Sequence, residues 1–217
     1  MTYSTRSDVG RRLAALLSPW GDEDPVIVAL SPGGVRVAFE VAQRLAAPLD
    51  LVSTRRLEVP GRRHSAFGAV ASGSVRVSRP QMKALSLPKP YLKDLVRREE
   101  REAMLEERLH RGALESLAVQ DRLVILVDDG MADPMVVSAG VASLRARHAA
   151  KVLFAVPFAT PELRRDVARV VDRFIVLQEA DHEQAPIICD ECFIQTTWDD
   201  VRRMLERSRQ QPELLLT

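Results

Sequence analysis

The sequence predicts an α/β fold built on a mainly parallel, five-stranded sheet flanked by helices, with a helical insertion and a C-terminal hood. Three observations carry this. Short runs rich in Val, Ile and Leu alternate with segments of helical period, the pattern of a parallel sheet with helices on both faces. The runs Val26–Leu30, Leu123–Val127 and Val152–Val156 are apolar throughout, as strands covered on both sides are. Strand, glycine turn and helix follow one another from Val26 to Leu45, which makes a first βα unit.

Thr5–Leu17 carries Val9, Leu13, Leu16 and Leu17 at helical spacing, with Ser4 or Ser7 available as a cap. The strand Val26–Leu30 breaks at Ser31-Pro32-Gly33-Gly34, and Val35–Leu45 is the helix that follows. Leu49–Ser53 is the next strand, and Arg55–Arg63, containing Pro60 and Gly61, reads as a polar turn. Phe67–Ala71 and Ser74–Val77 form a hairpin around Ser72-Gly73. Residues 78–118 are the insertion, dominated by the charged, amphipathic run Tyr91–Leu117 with an interruption near Gly112. Its simplest role is a solvated helix face laced by pairs such as Arg98 with Glu102, with a lid or dimer arm as the alternative. Strand Leu123–Val127, helix Met135–His148, strand Val152–Val156, helix Pro161–Val171 and strand Phe174–Leu177 continue the alternation. The hood, 178–197, has no clear period, and Asp199–Arg209 is a short amphipathic helix. The whole chain, 1–217, is read as a single domain.

Composition narrows the function classes. With 31 basic and 30 acidic residues there is no electrostatic case for nucleic acid. No stretch approaches the roughly 20 apolar residues of a membrane helix, and the first 25 residues lack the apolar core of a secretion signal, so the expected location is the cytoplasm. Two cysteines do not make a disulfide framework. Cys189-Asp190-Glu191-Cys192, with His182 nearby, invites a metal or redox reading, but one CxxC without a second pair or a βαβ context is weak support for it.

The chemistry concentrates in Val124-Ile125-Leu126-Val127-Asp128-Asp129-Gly130-Met131-Ala132-Asp133-Pro134-Met135-Val136, where a buried strand delivers two carboxylates and a turn opens a helix. Open α/β sheets bind ligands at this strand end. The segment resembles the phosphoribosyl-diphosphate (PRPP) motif of type I phosphoribosyltransferases. Further stretches of a bacterial, stand-alone phosphoribosyltransferase-like family line up in order: Ala29-Leu30-Ser31-Pro32-Gly33-Gly34-Val35, Leu57-Glu58-Val59-Pro60-Gly61, Gly68-Ala69-Val70, Arg98-Glu99-Glu100 and Ala155-Val156-Pro157. The resemblance implies PRPP-dependent transfer of phosphoribose to a nitrogen acceptor, a role in nucleotide metabolism, Mg²⁺ as cofactor, a small phosphoribosyl or nucleotide ligand as partner, and a homodimer. Under it, Asp128 and Asp129 bind the ribose hydroxyls and hold Mg²⁺ indirectly. Gly130, Met131, Ala132, Asp133, Pro134, Met135 and Val136 are the phosphate loop, and Ser31, Pro32, Gly33 and Gly34 the pyrophosphate loop. Arg36, Arg55 and Arg56 are candidate phosphate contacts, and the hood covers the acceptor. No catalytic residue is assigned.

The departures from the family pattern fall on the phosphate loop. Asp133, Pro134 and Val136 stand where the family supplies Thr, Gly and Thr. Proline has no N–H, valine has no hydroxyl, and aspartate adds a negative charge where a dianion docks. Asp133-Pro134 instead suits a helix N-cap followed by a favoured first residue. Pro32 replaces a usual arginine, and Arg56 a usual lysine. Gly33 and Gly34 either bring amides toward pyrophosphate or permit a tight turn. Three functions therefore remain open: a transferase, a non-catalytic homologue that binds a ligand or a protein as a regulator, and a phosphate-ester or nucleoside-processing enzyme reusing Asp128 and Asp129.

Overall fold

The structure is a computed structural model, and it describes residues 5–59, 61, 66–130, 133–179 and 196–210, apart from the side chains of Arg6 and Ser31. The sheet contains the five expected parallel strands: β1 (Val26–Ser31), β2 (Leu49–Leu57), β5 (Leu123–Val127), β6 (Lys151–Ala159) and β7 (Arg173–Glu179). The hairpin strands β3 (Gly68–Ala71) and β4 (Ser74–Val77) join the same sheet, giving seven strands in the order β4-β3-β2-β1-β5-β6-β7. The junction corrects one sequence expectation. Arg55, Arg56 and Leu57 are not a turn but the outer half of β2, paired antiparallel with Val70, Ala69 and Gly68.

Strand alternation divides the interior into two layers. Ile27, Ala29, Leu49, Leu51, Ile125 and Val127 face α1 (Arg6–Leu17), α2 (Val35–Arg44) and α7 (Trp198–Gln210). Val28, Leu30, Val52, Val124, Leu126 and Phe154 face α5 (Pro134–Ala146) and α6 (Pro161–Val167). Thr5, not Ser4 or Ser7, caps α1: its hydroxyl accepts from the Asp8 amide at 3.1 Å, and Asp8 stands at the third helical position where a capping-box acid belongs. The insertion contains a short helix that periodicity did not reveal, α3 (Arg79–Leu85), and the long α4 (Lys89–Arg111). Helix α4 ends at Gly112, whose φ of 61° suits glycine. Leu95, with Leu92 and Val96 beside it, packs α4 onto Leu57, Phe67 and Val70. Residues 180–195 lie outside the described set, and with them most of the expected hood and the His182, Cys189 and Cys192 reading; Gln178 and Glu179, at the expected start of the hood, belong to β7. No described helix is long and apolar enough to cross a membrane.

The first half of β2 has no strand on its outer side, and α4 closes that edge with side chains. The amide of Ser53 donates to Glu107 at 3.1 Å, and Arg111 Nη2 donates to the Leu51 carbonyl at 2.7 Å. Beneath them Asp50, fully buried, accepts from Arg111 Nε at 2.7 Å, the Leu117 amide at 2.9 Å and the Ser116 hydroxyl at 3.2 Å. Buried backbone groups need partners, and here one i,i+4 pair of a neighbouring helix supplies them. On the same helix the expected Arg98–Glu102 pair is not formed; Arg98 meets Glu99 at 3.2 Å. His110, also buried, stacks on Trp198 of α7 at 4.9 Å between centroids.

Replacing Arg111 by Leu removes the nearer of the two cations that meet buried Asp50 and leaves only Arg209, at 3.7 Å, and the expected cost is about 3 kcal/mol in urea unfolding. The double replacement Asp50→Leu with Arg111→Leu is expected to recover much of that loss. The His110 ring supplies a second test. Burial, reinforced by the positive charge of Arg111, pushes its pKa below the ordinary histidine value. The unfolded chain therefore binds a proton near pH 6.5 that the folded protein refuses, so stability contributed by neutral His110 is present above that pH and lost as pH falls toward the lower folded value. Urea midpoints at pH 7.5 and pH 5.5 are expected to differ more for the wild type than for His110→Phe.

Candidate functional site

Strands β1 and β5 are neighbours, with Val26 to Ala29 in register with Val124 to Val127. The chain leaves β1 into α2 on one face of the sheet and leaves β5 into α5 on the other. This reversal is the switch point at which open sheets form a crevice beyond their carboxyl ends. The residues predicted for the pyrophosphate loop and for the acidic pair therefore meet here. Gly34 presses on the end of β5: a Cβ at this position would lie 2.5 Å from the Val127 carbonyl and 2.9 Å from that of Leu30. A Cβ on Gly33 would lie 2.5 Å from Asp129 Oδ2, so the carboxylate of Asp129 closes against the first loop. The two glycines thus serve close approach.

Asp128 and Asp129 are both buried. Asp128 Oδ2 accepts from the Gly130 amide at 2.8 Å, and the Asp128 amide extends the ladder by donating to the Ala155 carbonyl at 3.2 Å. Gly130 has a φ of 95° and sits against Phe158, whose carbonyl would be 2.8 Å from an added Cβ. A side chain at this turn is excluded by both conformation and space. Met131 and Ala132 lie outside the described residues.

The start of α5 is occupied by its own chain. Asp133 is the N-cap, and its Oδ1 accepts from the amides of Met135 and Val136, each at 2.9 Å. Pro134 has no N–H, and the Val137 amide donates to the Asp133 carbonyl at 3.1 Å. No backbone donor remains over positions 134–137. Even the Ser138 hydroxyl is turned back to the Pro134 carbonyl at 2.7 Å. The other carboxylate oxygen of Asp133 takes Arg56 Nη2 at 2.5 Å.

The remaining predicted cations are likewise engaged. Arg55 lies between Glu99 at 2.8 Å and Glu106 at 2.5 Å, and the hydrogen bond to Glu99 leads the effects that raise its pKa further. Arg36 points toward α7, with Nε donating to Thr196 at 3.2 Å and the guanidinium 3.5 Å from Asp200. The sequence reading missed each of these pairings. It identified Asp133 as a cap and Arg56 as a candidate phosphate contact, but nothing in local spacing joins positions 77 residues apart in the sequence.

Comparison with known proteins fits this geometry. Two Mycobacterium tuberculosis proteins, from strains H37Rv and CDC 1551, each named "putative phosphoribosyl transferase", are 33% identical over 211 residues. The matched region covers 95% of this chain and 47% of theirs. The crystal structure of TT1426 from Thermus thermophilus superposes with a TM-score of 0.79 at 28% identity, over 95% of this chain and 99% of that one. This chain is therefore similar to proteins named phosphoribosyl transferases, and it shares the fold of the Thermus thermophilus structure. It spans about half the length of the curated relatives it matches. No family model matches this sequence. At the β5–α5 junction the amides of Met135, Val136 and Val137 are all used internally.

Two substitutions check this geometry. Gly34→Ala drives a methyl into two backbone carbonyls, and overpacking of this kind is expected to cost about 1–3 kcal/mol in chemical denaturation. Asp133→Ala removes the α5 cap, for an expected loss of about 1 kcal/mol by the same measurement.

Proposed function

We propose that this chain is a non-catalytic phosphoribosyltransferase homologue, a ligand-binding regulator that has given up PRPP turnover. The observation carrying the proposal is the filled phosphate cradle: Asp133 holds the two first-turn amides that α5 has to offer and neutralises Arg56. A phosphate arriving there would displace the carboxylate or face it. Two like charges about 4 Å apart cost roughly 4 kcal/mol at an effective dielectric near 20, equivalent to several hundredfold or more in affinity. Phosphoryl-sugar chemistry of this class rests on positioning and charge stabilisation, so loss of the anchor removes most of the leverage.

One observation favours a second reading, a transferase acting on a nitrogen acceptor. Asp128, Asp129 and the first loop remain packed together at the switch point. Two carboxylates are hard oxygen donors that accept hydrogen bonds and suit a vicinal diol. For Mg²⁺ they fit only as partial ligands: among the described residues no group of three or more His, Cys, Asp or Glu side chains is placed to hold a metal. Ligand oxygens and water would complete the shell, and the ion would supply charge neutralisation at the pyrophosphate.

Calorimetric titration with PRPP, with and without Mg²⁺, separates the readings. The expected result is no saturable Mg²⁺-dependent binding by the wild type, and a gain of binding in the triple variant Asp133→Thr, Pro134→Gly, Val136→Thr. Saturable Mg²⁺-dependent binding by the wild type, weakened by Asp128→Asn, would overturn the proposal in favour of the transferase.

A further inference from the structure

A cavity of about 440 Å³ opens between α1, α2 and α7, on the face of the sheet away from α5. Its charged lining is three arginines, Arg36, Arg203 and Arg207, against two carboxylates, Glu40 and Asp200. We propose that this cavity binds a small phosphomonoester with an apolar or planar body.

The charges in the lining are unevenly compensated. Asp200 is shared: Oδ1 meets Arg203 at 2.6 Å, and Oδ2 meets the Thr197 hydroxyl at 2.7 Å and Arg36 at 3.5 Å. The Thr197 hydroxyl and Arg203 hold the Asp200 carboxyl down to about 2, so it stays ionised at neutral pH. Glu40 is drawn to Arg11 at 3.7 Å. Arg207 has no carboxylate partner among the described residues. Its guanidinium lies 5.2 Å over the ring of Phe39, an arrangement that fixes a planar fork without consuming its donors. The cavity thus has a net positive lining, pre-set guanidinium donors, an apolar floor at Phe39, and a volume within the range of small-molecule sites. Phosphate matches the fork geometry of several arginines better than a halide or a single hydroxyl does.

The position of the cavity gives binding a consequence. Arg36 lies two residues beyond Gly34 at the first loop, and its partners Thr196 and Asp200 stand at the start of α7, where Thr197 and Asp200 cap each other reciprocally. A phosphate drawn to Arg36 competes with Asp200 and therefore bears on both the α2 and the α7 side of the site. This cavity is separate from the α5 phosphate loop, and the inference stands whichever reading of that loop holds.

Phenyl phosphate is a suitable probe because it carries a phosphate and a planar ring but no ribose. Calorimetry of the full chain is expected to give saturable binding with a Kd at or below about 1 mM. Arg207→Gln is expected to weaken it by about tenfold or more with an unchanged thermal midpoint, Arg207→Lys to recover part of the loss, and Asp128→Asn to leave it unaltered. Absence of saturable binding would overturn the proposal. So would equal affinity in the wild type and Arg207→Gln, or a loss caused by Asp128→Asn, which would place the probe at the other site.

Discussion

Two parallel strands lying side by side and sending their chains to opposite faces of the sheet form the constraint on which the rest of this molecule depends. With β1 leading to α2 and β5 leading to α5, the two loops must diverge above a shared strand pair, and the gap between them is the only place where both are within reach of one ligand. Glycine at 34 follows from that arrangement, because its backbone lies against the last carbonyl of β5 with no room for a methyl. Burial of Asp128 and Asp129 follows too. They extend a strand that is covered on both faces, and Asp129 is closed in by the neighbouring loop. The crevice is therefore a product of topology and backbone packing.

What distinguishes this chain is the way its cations are neutralised from within. Arg55 is held by two glutamates of α4, Arg56 by Asp133, and Arg36 by Asp200. Exposed ion pairs contribute little to stability singly, so these contacts do not hold the fold together. Their effect is on recognition. Arg55 and Arg56, which would otherwise present forked donors to a phosphate beside α5, each have a competing carboxylate already in place, and the competitor is intramolecular. The motif stretch Arg98-Glu99-Glu100 thereby acquires a physical reading: Glu99 reaches across from the insertion helix to β2, tying that helix to the strand bearing Arg55 and Arg56.

Much of the fold was legible in the sequence because it rests on short-range regularities. Continuous apolar runs marked the central strands, glycine and proline marked the turns, and Asp133-Pro134 announced the α5 cap that the structure contains. The extension of β2 through Arg55 and Arg56 was not legible, since strand pairing with β3 outweighs the polar character of those residues. The network under α4 left a trace in the form of Asp50 inside an apolar strand and Glu107 and Arg111 at i,i+4. Only the tertiary arrangement shows that they meet. The acidic pair and the first loop could be placed from motif order alone, whereas the partners of Arg36, Arg55 and Arg56 could not. Ion pairing between distant segments has no periodic signature.

The same contrast separates the end of β5 from the start of α5. The carboxylates at the end of β5 sit in positions fixed by the sheet, and removing them would expose or unpair buried backbone. The start of α5 is different. Asp133 caps the helix and Pro134 follows as a favoured first residue, an arrangement that requires no ligand. With Asp133 satisfying the Met135 and Val136 amides, any anion arriving at the start of α5 would have to compete with the cap. The pairing of Arg56 with Asp133 closes the arrangement further, because release of the carboxylate would leave a cation unpaired as well as two amides. That coupling ties Arg56, the cap and the first turn of α5 into a single unit.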